Sequence, residues 1–401
     1  CSWCLTRAGG QPLRALDGLS LHQNTVILLQ SRGFMKQDIR ARLQIPQGTE
    51  AFYLEEARRH HLLRHRLAER FRLWGYLPVQ TPVMDFYDVY RSLLGEHQTR
   101  GVYRLVDREG DLLMLRSDVT LFLAKQMGLI LRPEDLPIRV WYSDTILRHQ
   151  DPDDISRNEF HQSGVELIGL TGRDPELEVM SLLLEILSAE SPSAFFLHVG
   201  SRRLVDLLCP PETERRRIIR ALAFRDIPQI VQSLRDGGHE AASAERLSRL
   251  LLFIGSPEEA KLLRGDLGLR DSNYNEIFAE VDAVAESVSL LGEAGYQNIG
   301  RVDFSEVGSQ PYYSGVVFQV YLDGLDTPVA SGGRYDGLLG FFGFDAPSVG
   351  FSIMLRKLEA RIGDASLPPA AGSSRAVSGD SFAERYRAAR RRRESGEVTT
   401  L

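Results

Sequence analysis

The densest group of reactive residue types is Ser331-Gly332-Gly333-Arg334-Tyr335-Asp336-Gly337-Leu338. Two adjacent glycines let backbone approach a ligand, because no Cβ stands in the way. The arginine after them can hold a carboxylate or phosphate with its planar fork. Taken alone, the octet also reads as a Gly-rich hairpin turn with a surface arginine. A second group sits on the run from Phe160 to Ile168. Strand alternation there puts Gln162, Gly164 and Glu166 on one face. A glutamine and a glutamate on either side of a glycine form a polar pocket floor, or else a plain solvent-facing strand. Asp118, with Thr120 two residues on, precedes an apolar run. That position suits an N-cap as well as a ligand-facing carboxylate.

The positioning elements can be read from pattern. Residues 51–75 carry Phe52, Leu62, Leu63, Leu67, Phe71 and Leu73 at helical spacing, with Gly75 as the stop. Tyr76 to Met84 reads as a strand interrupted by Pro82, hence at a sheet edge or an interface. Residues 102–107 and 111–116 predict a hairpin, and Thr120 to Met127 begins a helix. Strands are expected at 138–147 and 160–168, with the polar loop Arg148 to Asp154 between them. A helix over 176–189 and a strand over 195–200 follow. About 203–295 is mostly helical, and there Cys209 and His239 read as structural. The sheet resumes near 301–304, 312–322, 327–331 and 348–353, with a helix at 353–361. On this reading Tyr312 and Tyr313 begin a strand. Gly363 to Gly379 is a linker rich in Pro, Ala, Gly and Ser, and 380–394 is a basic helix holding Arg390 to Arg393.

Composition excludes several classes. A chain of 401 residues should hold more than one domain. Its hydrophobic share of 43% is ordinary for a globular protein, and its net charge of −6 gives no electrostatic case for nucleic-acid binding. The Arg390–Arg393 run itself holds no aromatic residue, and the basic helix is read as a solvated face. No run reaches about 18 apolar residues, so no transmembrane helix is expected. Cys1, Cys4 and Cys209 are too few for a disulfide framework and suit a reducing cytoplasm. Neither a metal nor a cofactor site is expected. Periodicity is absent before Met35, and natural translation is expected to start there.

Taken in order, these pieces resemble the catalytic core of class II aminoacyl-tRNA synthetases, specifically histidyl-tRNA synthetase. The resemblance spans roughly residues 45–361. It implies an α+β fold, an antiparallel sheet flanked by helices with a helical insertion at about 203–295. Residues 1–44 are then an N-terminal extension. Residues 362–401 are a linker and basic tail, at most a remnant of an anticodon-binding domain. The first helix and the Pro82 strand are similar to the family's motif 1, which builds a dimer. Carried over one position at a time, Asp118 stands where the family has a longer glutamate for the histidine ammonium. Thr120 lies beside it. Gln162 matches a glutamine near the carboxylate and amine, and Glu166 the acid that pairs with an imidazole nitrogen. Tyr312, Tyr313, Gly332, Gly333 and Tyr335 complete the implied histidine pocket.

The nucleotide half departs from the family. Arg148 is kept, but the adenine-reading glutamate is Gln150, and the next loop arginine is Asp151, followed by Asp153 and Asp154. Arg334 is assigned to this half. An arginine that stabilises the reacting phosphate is replaced by Gly308. The nucleotide-stacking arginine aligns with Lys357, which cannot replace its fork, and Met354 fills a small-residue position. This combination resembles the regulatory subunits of ATP phosphoribosyltransferase, synthetase paralogues without aminoacylation activity. That resemblance implies a non-catalytic chain, a short-form catalytic subunit as partner, a hetero-octamer, and histidine as feedback ligand in the first step of histidine biosynthesis. The alternatives are a divergent histidyl-tRNA synthetase or related histidine-activating ligase, and an RNA-binding sensor.

Overall fold

The computed structural model describes residues 43–46, 48–49, 51–150, 157–191, 194–362, 375–376, 381–395 and 399–400. Two compact units are distinguished, Cys1–Thr49 and Glu50–Leu401. Cys1, Cys4, Met35 and the acidic loop residues Asp151, Asp153 and Asp154 lie outside the described residues.

Helix α1 (Leu54–Leu73) buries His60, Leu63, Leu67 and Phe71, a stripe at three- and four-residue spacing. Gly75, at φ +80°, ends it. The Gly75 N–H bonds Arg72 O and the Tyr76 N–H bonds Phe71 O, which satisfies the last carbonyls in a Schellman motif. The single strand expected over 76–84 is two. β1 (Leu77–Pro78) lies at the margin of the large sheet, and β2 (Met84–Phe86) joins β3 (Arg104–Val106) and β4 (Leu112–Leu115) in a small sheet. The break has a cause beyond Pro82. The buried Arg116 guanidinium takes the carbonyls of Thr81 at 2.7 Å and Pro82 at 3.3 Å, so they face a side chain rather than a strand ladder.

The large sheet adds β5 (Ile138–Leu147), β6 (Glu159–Ile168), β7 (Phe195–Ser201), β8 (Ile254–Gly255), β9 (Gly300–Asp303), β10 (Val316–Leu322), β11 (Ala330–Arg334) and β12 (Ser348–Met354). Its order is β1-β5-β6-β12-β11-β10-β7-β9-β8. The six central strands are antiparallel as expected. The β1–β5 and β7–β9 pairs are parallel, so the sheet is mixed towards its margins.

The two faces differ. Val165, Leu167, Phe351 and Ile353 share one core with α1 and α3 (Asp174–Glu190). The other face meets α2 (Val119–Ile130) through Val140, Tyr142, Phe122 and Tyr335. The helical insertion runs from Arg202–Leu208 through Asn275–Glu293, and its Leu222, Leu247 and Val281 belong to the first core. Cys209 and His239 lie there, with Cys209 fully buried and His239 Nε2 2.7 Å from Leu208 O. Short helix Leu355–Glu359 closes the core, and the basic helix spans Phe382–Glu394.

Candidate functional site

The site lies on the α2 side of the sheet, where β6 and β12 run side by side. Gly350 stands opposite Glu166 in register. A Cβ on Gly350 would collide with Glu166 Oε2 and the Val165 carbonyl, and one on Gly164 with Phe351 O. Gly350 therefore clears the space in which a buried carboxylate sits, and Gly164 leaves room for the end of the Tyr142 ring. Glu166 is 1% exposed. Thr120 donates its hydroxyl to Oε1 at 2.7 Å, and the Tyr335 hydroxyl donates to Oε2. Burial pushes the Glu166 carboxyl up to about 8, against the two hydroxyl bonds, which pull it down, and the Asp118 charge adds to the rise. Each oxygen keeps a lone pair for an incoming N–H donor.

Asp118 stands at the start of α2. It accepts the Leu121 N–H at 3.1 Å as N-cap, and the Tyr312 hydroxyl at 3.0 Å. The carboxylate both caps the helix and lines the cavity. Burial pushes it upward, while the backbone bond and Arg148 oppose the shift. Tyr312 and Tyr335 meet edge to face at 5.7 Å, and Tyr312 and Tyr313 lie 5.4 Å apart. With Gln162 these groups enclose a cavity of about 390 Å³, within the range of small-molecule sites.

Tyr312 and Tyr313 are not strand residues. The ladder begins at Val316, because the Ser314 N–H is taken by Arg334 O and the Gly315 carbonyl by the Arg202 N–H. Nor do Gly332 and Gly333 form a turn: they are interior to β11. Gly333 faces the cavity side and leaves room for the Tyr313 ring, whereas a Cβ on Gly332 would strike Gly350 O and the Phe318 ring on the far side.

Comparison with known proteins agrees with this architecture. The histidyl-tRNA synthetase family model matches residues 48–358. The ATP phosphoribosyltransferase regulatory subunit of Moorella thermoacetica is 32% identical over 364 residues, covering 90% of this chain and 92% of that one. The chain belongs to this histidyl-tRNA synthetase-like family of regulatory subunits. The protein of the same name from Symbiobacterium thermophilum is 32% identical over 329 residues, covering 79% of each chain. For fold, a Bacillus halodurans structure titled as an ATP phosphoribosyltransferase regulatory subunit/histidyl-tRNA synthetase superposes with TM-score 0.75 at 24% identity. It covers 90% of this chain and 92% of that one.

Against the family's two-part site, the structure separates the residues assigned to the nucleotide half. Arg148 and Gln150 line the cavity. Arg148 lies 5.6 Å over the Phe160 ring and donates to Ser117 O at 3.5 Å. Arg334 does not reach the cavity. Strand alternation turns it away from Gly333 and Tyr335, and it is held by Glu176 at 2.5 Å, Gly172 O at 2.6 Å and Asp336 at 3.1 Å. Lys357 is 2% exposed and donates to Thr327 at 2.8 Å, also away from the cavity. Gly308 has φ +72°, a conformation that favours glycine.

Other lining residues escaped the sequence reading. Tyr142 was within reach, since it stands opposite Gly164 on a strand whose bounds were plain. Gln98, Ser309 and Gln310 carried no local signal. They meet only through the fold, where Gln98 donates to Ser309 O at 2.8 Å. Among the described residues, no group of three His, Cys, Asp or Glu side chains could hold a metal ion, and no helix is long and apolar enough to cross a membrane.

Proposed function

We propose that this chain is the non-catalytic regulatory partner of a short-form ATP phosphoribosyltransferase catalytic subunit, and that its cavity takes free histidine. The carrying observation is Glu166, buried with its two oxygens braced by Thr120 and Tyr335 at the floor of a cavity rimmed by Asp118. An imidazole N–H would donate to Glu166, and the ammonium to Asp118 and the Gln162 carbonyl oxygen. The tyrosine rings would flank the imidazole. A carboxylate at such depth, held by two hydroxyls and no cation, is costly to ionise until a further donor arrives, which favours a ligand carrying N–H groups.

The names of the relatives support a catalytic ATP phosphoribosyltransferase subunit as partner. The complex would condense ATP with phosphoribosyl pyrophosphate in the cytoplasm, the first step of histidine biosynthesis. A motif 1 dimer would sit within a hetero-octamer. Histidine would inhibit by binding the less active state more tightly, a coupling of about 1–3 kcal/mol.

The test is co-purification with the short catalytic chain of the same genome, then assay of the pair with and without histidine. Phosphoribosyl transfer that requires this chain and falls as histidine rises is the expected result. Arg148 in the cavity wall is the one observation that favours a histidine-activating ligase. Histidine-dependent exchange of pyrophosphate into ATP, with no association between the two chains, would establish that reading instead.

A further inference from the structure

Behind the tyrosine wall lies a second group of acids that the ligand site does not use. The segment Phe304–Gly315 leaves β9 and delivers Ser309, Gln310, Tyr312 and Tyr313 to the cavity. It is anchored at its start, where Asp303 accepts the Ser305 N–H at 3.0 Å and hydroxyl at 2.5 Å and pairs with His198 at 2.9 Å. Gly200 on β7 lets this start lie flat, because a Cβ there would collide with the carbonyls of Asp303 and Glu306.

Glu306 then turns back and accepts the N–H of Gly308 at 2.9 Å. The Gln319 side chain lies beside the same carboxylate and opposes the rise that burial gives it. That side chain is oriented by Tyr321, whose hydroxyl donates to Gln319 Oε1 at 2.7 Å. Gly308 is the residue against which the Tyr313 ring packs: a Cβ on it would overlap the ring. A chain of contacts therefore runs from Tyr321 through Gln319 and Glu306 to Gly308 and the face of Tyr313.

We propose that Glu306 is a positioning residue for the ligand cavity: it fixes the Gly308 turn and thereby sets Tyr312 and Tyr313 against Asp118 and Gly333. The consequence for ligand binding rests on the histidine reading above, but the positioning itself does not. A bent loop whose turn N–H is tied to a carboxylate keeps its tyrosines placed before ligand arrives, so less ordering cost falls on binding.

The test compares Glu306→Met, which keeps the volume and removes the acceptor, with Glu306→Gln, which keeps an acceptor oxygen. Two measurements are made on the full chain: amide hydrogen exchange without ligand, and histidine affinity by calorimetry. In Glu306→Met, exchange across residues 307–313 rises by about tenfold while α3 is unchanged, and histidine binding weakens by about tenfold. Glu306→Gln restores both to within about threefold of the wild type. Unchanged exchange across 307–313 in Glu306→Met, or a Gln variant no better than Met, overturns the proposal. If Glu306→Met does not fold, Gln319→Leu removes the polar side chain beside the carboxylate, and a smaller rise confined to the same amides is required. If the wild-type chain binds no histidine, the histidine reading fails, while hydrogen exchange still decides the role of Glu306.

Discussion

Glu166 and Arg148 line the same cavity, but their ends of it are built differently. The inner end is a closed set of hydrogen bonds on rigid elements. Glu166 sits on β6, Thr120 on α2 and Tyr335 just beyond β11, and Gly350 makes the room. At the outer end, two of the residues the family pattern assigns to nucleotide have been drawn into the scaffold. Arg334 serves Glu176 and the carbonyls of the turn before α3, and Lys357 serves Thr327. A phosphate site needs forked, preorganised cations aimed at developing charge. Arg148 is the cation that the described cavity wall supplies. This difference between the ends supports the proposed reading of a chain that binds an amino acid without activating it.

The largest effect expected from breaking this comparison is at Arg334. If it belonged to the outer end, its loss would leave the fold intact. Because it is buried at 7% exposure with Glu176, Arg334→Met should leave that carboxylate uncompensated and cost about 3–5 kcal/mol. Chemical denaturation reads this directly, and a stability loss under about 1 kcal/mol would return Arg334 to the candidate ligand residues.

Next is Glu166→Ala, which removes the acceptor at the inner end. Histidine affinity should fall by about a hundredfold, as a buried ligand N–H is left without its acceptor, while the oligomeric state stays that of the wild type. Calorimetry showing equal affinity would move the ligand elsewhere in the cavity. A third effect concerns protons. Burial holds the Glu166 carboxyl at about 8, above the ordinary 4.5. The folded chain therefore keeps a proton that the unfolded chain has released between those values. The stability this gives is complete below about 4.5 and is lost as pH rises through about 8. Melting temperatures of wild type and Glu166→Gln should diverge from pH 5 to pH 8, with the wild type losing ground. Parallel curves would mean that Glu166 is ionised throughout.

The strands that build the inner end were plain in the sequence. β5 was bounded at 138–147 by pattern alone, and alternation along 160–168 put Gln162 and Glu166 on one face. The same rule, applied residue by residue to Ser331–Tyr335, separates Arg334 from Gly333 and Tyr335. Reading the octet as a single ligand-facing group hides that separation. Other features depend on distant partners and leave no local trace. Nothing near Thr81 announces that Arg116, 35 residues on, will take its carbonyl and split β1 from β2. Tyr312 and Tyr313 have strand composition but are held out of the ladder by Arg202 and Arg334 backbone. Side-chain chemistry and period were legible, whereas the ends of elements were set by tertiary hydrogen bonds.

The smallest expected effect is the sharpest test of the outer end. Lys357 aligns with the arginine that stacks on nucleotide in the family, so Lys357→Arg restores the expected residue type. It does not restore its surroundings. The ammonium lies buried against Thr327, and an arginine there must fit the longer fork into the same packed space, at a cost of about 1–3 kcal/mol. Gly308 would still supply no side chain, in a backbone conformation an arginine rarely adopts, and Arg334 would still be held by Glu176. Histidine-dependent exchange of pyrophosphate into ATP should therefore stay at background in the variant, with histidine affinity unchanged. Measurable exchange would mean that one forked cation suffices to complete the outer end. The contrast between the two ends would then reduce to a single residue.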